Sequence, residues 1–137
     1  MPITTAFTNS FKKDLLERTS ADVYKIALYT SVATLSKATA AYNATNEVSG
    51  TGYTAGGITL AGFSVTADGD AAILSWTTDP VWETATITAR GALIYNSSRS
   101  NKAVAVYDFG SDISSTGAAF IVQLPAPTDA LGLVRIG

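Results

Sequence analysis

The segment "WETATITARGALIYN", Trp82 to Asn96, alternates apolar and small polar side chains for longer than any other part of the chain. Ala85, Ile87, Ala89, Gly91, Leu93 and Tyr95 share one parity; Thr84, Thr86, Thr88 and Arg90 share the other. A repeat of two is the repeat of a β-strand, whose successive side chains point to opposite faces. A strand of this length is not stable alone and must be paired and covered. Candidate partners flank it. "VYKIALYT" places Tyr24, Ile26 and Leu28 on one face and Lys25, Ala27 and Tyr29 on the other, as a half-buried strand. "ITLAGFSVTA", "AAILSWTT", "KAVAVYDFG", "AFIVQLPAP" and "LGLVRIG" read as further strands. Between them lie turn formers: "ADGD", Asp79–Pro80, "SSRSN" and "DISSTGA". In "ITLAGFSVTA" the apolar parity slips at Gly62, which marks a bulge or a sharp bend.

The N-terminal stretch follows a different rule. Phe7, Phe11 and Leu15 recur every four residues, after the N-cap oxygens of Thr8, Asn9 and Ser10. This predicts one short helix ending near Thr19–Ser20, with the Phe/Leu stripe packed on the core. Residues 31–57 show no period, apart from a helical turn around Lys37–Tyr42. A connection this long is functional or hides a short element. The expected fold is mainly β: an antiparallel β-sandwich or partly closed barrel of about 7–8 strands with one short N-terminal helix. At 137 residues the expectation is a single domain, with an arm and helix over 1–20 and a long loop over 31–57.

Composition narrows the chemistry. The chain has neither histidine nor cysteine. A Ser-His-Asp triad, thiol chemistry and a disulfide framework are therefore excluded. Nine basic residues are scattered along a chain of net charge −2, unlike a nucleic-acid surface with clustered Lys and Arg. Charged residues make up 15% against roughly 25% in ordinary soluble domains. Such a sparsely charged surface suits packing against neighbours. No apolar run approaches the ~20 residues that span a bilayer, so no membrane association is expected. "MPITTAFTNSFKKDLLERTS" lacks the plan of a signal peptide, so synthesis in the cytoplasm without export is expected.

Three constellations invite a sharper reading. "GTGYTAGG" looks like a phosphate loop, but a strand follows it rather than a helix, and no Gly-Lys-Ser/Thr is present. Its glycines are expected to serve positive φ and close backbone approach instead. "DGDAAILSW" offers two carboxylates and no distal ligand, so no metal or other cofactor is expected. Trp76 and Trp82 flank "TTDPV" and, with Tyr53, are the candidates for stacking on a sugar or anchoring an interface. Arg90, on the Thr-rich face, is expected to pair with an acid of a neighbouring strand or subunit. Phe7 completes the candidate interface set.

Taken together, "FTNSFKKDLL" (Phe7–Leu16), "NEVSGTGYTAGG" (Asn46–Gly57) and "ITARGALIYN" (Ile87–Asn96), with "KIALYTS" and "AVAVYDFGS" at the expected distances, resemble a group of small virion structural proteins of tailed bacteriophages. The resemblance covers roughly residues 7 to 136. It implies a non-enzymatic role, and first a capsid decoration (cement) protein on the outer surface of the assembled head. The partners it implies are the major capsid protein and further copies of this chain, as a homo-oligomer such as a trimer. A tail, adaptor or head-fibre module, with or without host-glycan binding, is the alternative it leaves open. Under the decoration reading, the arm "MPITTAF" lies across a neighbour.

Overall fold

The computed structural model describes residues 3–128 and 130–137. In chain order its elements are α1 (Asn9–Glu17), β1 (Tyr24–Tyr29), β2 (Ile58–Thr59), β3 (Ala61–Asp68), β4 (Ala71–Thr78), β5 (Val81–Asn96), β6 (Lys102–Ile121) and β7 (Val134–Ile136). The strands form two antiparallel sheets, ordered β2-β1-β5-β6 and β3-β4-β7, and neither closes into a barrel. The mainly-β class, the strand number and the short N-terminal helix agree with the sequence. The chain divides into two compact units. One holds the described residues up to Ala21, then Gly62–Thr77 and the chain from Leu124; the other holds Asp22–Ala61 and Thr78–Gln123. Each is assembled from separated segments.

In the first unit, α1 departs from its expected orientation. Thr8 caps it, its hydroxyl accepting the Phe11 N–H at 3.3 Å. The buried residue of the helix is Lys12, while Phe7, Phe11 and Leu15 are 52%, 44% and 37% exposed. The cause is a polar anchor at the β3–β4 turn. The Lys12 ammonium donates to the Asp70 carbonyl at 2.6 Å, and Asn9 Nδ2 donates to the Asp70 carboxylate at 3.0 Å. That ammonium also lies 5.2 Å from the Phe7 ring centroid, where the π face attracts a cation. An apolar stripe has no direction of its own, whereas these polar contacts fix which side of the helix turns inward. The "ADGD" turn is thus tied to the helix.

The second unit is organised by β5, which pairs with β1 over Gly91–Asn96 and with β6 along most of its length. Strand β1, flanked on both sides, is buried on both faces: Ala27 and Tyr29 are as covered as Ile26 and Leu28. The expected half-buried strand is in fact central. Strand β6 runs without a break through "DISSTGA", expected as a loop, and on through the first three residues of the expected strand "AFIVQLPAP" before it stops at Ile121. Bulges absorb the turn-like residues. Four residues, Phe109–Asp112, lie opposite Arg90, and Gly110 and Gly117 take positive φ. At Leu60 the chain passes from β2 to β3, and Gly62, the second residue of β3, takes φ 82°.

Candidate functional site

Near Lys37–Tyr42, residues 31–57 hold a single hydrogen-bonded turn, Ser36–Thr39, and no helix; the segment is a series of such turns pinned at several points. The Thr30 N–H donates to the Asn46 carbonyl at 3.0 Å and the Val48 N–H to the Leu28 carbonyl at 2.9 Å. The Ala103 N–H reaches the Ala40 carbonyl at 3.0 Å, and the Thr86 N–H reaches the Thr51 carbonyl at 2.9 Å. Gly57 permits the tightest approach. At φ 76° a Cβ there would lie 1.7 Å from the Ile26 carbonyl oxygen, so only glycine fits. The glycine-rich stretch is therefore a close-packed strap over the sheet.

Glu47 is the centre of that strap. One carboxylate oxygen accepts the Tyr42 hydroxyl at 2.6 Å; the other accepts the Tyr53 hydroxyl and the Gly56 N–H, the latter at 2.8 Å. The Tyr53 oxygen in turn accepts the Leu28 N–H at 2.9 Å, so the phenol links strap to sheet. The Tyr95 hydroxyl donates to the Gly56 carbonyl at 2.6 Å and the Tyr29 hydroxyl to the Asn43 carbonyl at 2.7 Å. Tyr42 stacks on Tyr95 with centroids 4.8 Å apart. Burial, reinforced by the Glu47 charge, pushes the Tyr29 phenol up to about 12. The same causes raise Tyr42, Tyr53 and Tyr95. All four phenols stay protonated at neutral pH, and those of Tyr42 and Tyr53 serve Glu47 as fixed donors. The arrangement holds a loop in one shape.

Beside the strap, a cleft of about 250 Å³ is lined by Tyr29, Thr30, Leu35, Arg90, Val106 and Asp108, among others. The Arg90 guanidinium meets the Asp108 carboxylate at 3.0 Å, which makes the expected acid partner a residue of the neighbouring strand. The Gly110 N–H, and then Arg90, hold the Asp108 carboxyl below the usual range.

The sequence-derived candidates do not form one site. Phe7 and Trp76 belong to the helix-bearing unit; Tyr53, Trp82 and Arg90 belong to the other. Trp76 and Trp82 are 5% and 3% exposed, so neither offers a ring face to a sugar. Trp82 is stacked on Tyr53 at 6.0 Å and meets Phe120 edge-on at 6.2 Å. Tyr53 and Trp82 are thus brought together, as packing. Sequence reasoning singled out Tyr53 but missed Glu47, Tyr42 and Tyr95. The available signal was that Glu47 is the only acid between Asp22 and Asp68, in a stretch dotted with tyrosine.

Comparison of the chain with protein-family models, with characterised proteins and with solved structures gives no match.

Proposed function

We propose that this chain is a non-enzymatic structural protein of a tailed-bacteriophage virion, and that it binds the outer surface of the assembled head as a decoration protein. One observation carries the reading beyond the resemblance: Phe7, Phe11 and Leu15, four residues apart, stay exposed while Lys12 takes the inward position. Single exposed apolar residues are ordinary, but a contiguous row of them marks a contact surface. Burying one such side chain contributes about 1.5–3 kcal/mol, so a short arm repeated over a shell binds through many modest contacts. The strap held by Glu47 fits the same role, since a fixed loop has little ordering entropy to lose on docking.

The test is binding of the purified chain to assembled heads and to free coat subunits of the phage that encodes it. Binding to heads, and not to free subunits, is expected. The double variant Phe7→Ser, Phe11→Ser should weaken it at least tenfold while thermal unfolding changes little. Copy number in virions in proportion to coat protein supports decoration; a few copies per particle would place the chain in the tail, adaptor or head fibre instead. Absence from purified virions overturns the proposal.

A further inference from the structure

Tyr29, Gly91 and Asp108 lie side by side across β1, β5 and β6. The middle member has no side chain, and none fits: a Cβ on Gly91 would lie 2.8 Å from the Tyr107 carbonyl oxygen. The row therefore has a gap between a buried phenol and an exposed carboxylate. The cleft of about 250 Å³ beside the strap is lined by all three residues of this row. Its inner wall is apolar, since Leu35 and Val106 pack there against the buried cluster that contains Tyr29. Its rim is polar, formed by Thr30, Arg90 and Asp108.

The rim holds two opposite charges in contact and in water. The Arg90 and Asp108 side chains are 41% and 68% exposed. A guanidinium has five N–H donors, more than one carboxylate can take. Asp108 Oδ1 accepts Arg90 Nε–H at 3.0 Å and the Gly110 N–H at 2.8 Å, so lone pairs remain on Oδ2. An anion drawn by Arg90 meets the charge of Asp108, and a cation drawn by Asp108 meets that of Arg90. A neutral hydroxyl escapes both penalties, because it donates and accepts. Two hydroxyls on adjacent carbons can serve the pair together, one accepting from the guanidinium and one donating to the carboxylate.

We propose that this cleft binds one neutral pyranose ring, free or at the end of a glycan. Its vicinal hydroxyls meet Arg90 and Asp108, and its C–H face turns toward Leu35 and Val106. An apolar wall with a few convergent polar groups is the usual plan of a small-molecule site, and a volume below the roughly 300–1,000 Å³ of drug-sized sites suits a single ring. The buried Trp76 and Trp82 take no part. With so open a rim each copy binds weakly, and many copies on one particle add avidity. Sugar binding here does not depend on head binding.

The test is an amide ¹H–¹⁵N NMR titration of the purified chain with the methyl glycosides of glucose, galactose and mannose, and with glucuronate and glucosamine as charged counterparts. At least one neutral glycoside should give saturable shifts centred on the amides of Thr30, Gly91, Asp108 and Gly110, and should bind more tightly than both charged sugars. Asp108→Asn and Arg90→Gln, at exposed or half-exposed positions, should each weaken that binding about tenfold while thermal unfolding changes little. Equal binding of an oligosaccharide ending in the same ring identifies a glycan terminus as the source; binding of the single ring alone identifies the free sugar. The absence of a saturable shift with all three glycosides, up to their solubility, overturns the proposal. Tighter binding of glucuronate or glucosamine overturns it too, as does affinity unchanged in both variants. Each of these results leaves head binding standing.

Discussion

The β5–β6 hairpin is two different structures along its length. From Gly91 to Asn96, β5 lies between β1 and β6, and Ala92, Leu93 and Ile94 are fully buried. From Val81 to Arg90 it keeps one long partner, β6, and its threonines stay in water. The near half holds the unit together, and the far half displays a surface. What separates them is the presence of β1 alongside, since the alternating pattern continues through both.

The comparison predicts unequal costs. Leu93→Ala should destabilise by about 2–5 kcal/mol in urea unfolding, through lost burial and the cavity left. Ile113→Ala should stay within about 0.5 kcal/mol, as for other exposed positions. Comparable losses from the two would dissolve the distinction.

Gly57→Ala comes next. Its Cβ would collide with the Ile26 backbone at a positive φ, and overpacking of this kind costs about 1–3 kcal/mol. Protease sensitivity should then appear within residues 31–57 before anywhere else.

Glu47→Ala leaves the Tyr42 and Tyr53 hydroxyls and the Gly56 N–H without their acceptor. A cost of about 1–3 kcal/mol follows, with faster amide exchange across the strap. Tyr29 gives the pH test. A phenol raised from 10 to about 12 by burial keeps its proton in the fold after the unfolded chain has lost its own. Its contribution to stability is therefore complete below pH 10 and drains away between 10 and about 12. Absorbance titration should show the four strap phenols ionising after ordinary tyrosine, and Tyr29→Phe should flatten the fall in melting temperature. Among the buried positions, the smallest effect is expected at Trp82→Phe. The indole N–H is buried without an acceptor, so phenylalanine loses ring area and no hydrogen bond. A loss of no more than about 1.5 kcal/mol is expected.

Much of this was legible in the sequence. Strands β1, β4 and β5 are read almost to the residue, because alternation and flanking turn formers act locally. Strand β6 was cut at "DISSTGA" because glycine, serine and aspartate mark turns by composition, whereas bulges let the same residues pass within a ladder. The helix was found but its inward face was mistaken. Periodicity shows that Phe7, Phe11 and Leu15 share a side; it cannot show that the Asp70 carbonyl will capture Lys12. The strap was seen as a long aperiodic segment whose glycines serve positive φ and close backbone approach, without the carboxylate at its centre. Its order comes from one carboxylate meeting hydroxyls distant in sequence, which no local pattern encodes.

Lys12 has a practical consequence. With its amine seated on a carbonyl and its neighbour Lys13 half-exposed in a loose pair with Glu17 at 3.7 Å, adjacent lysines should differ toward acylating reagents. Mass spectrometry of that single tryptic region would report whether the helix stays seated on the β3–β4 turn as conditions change.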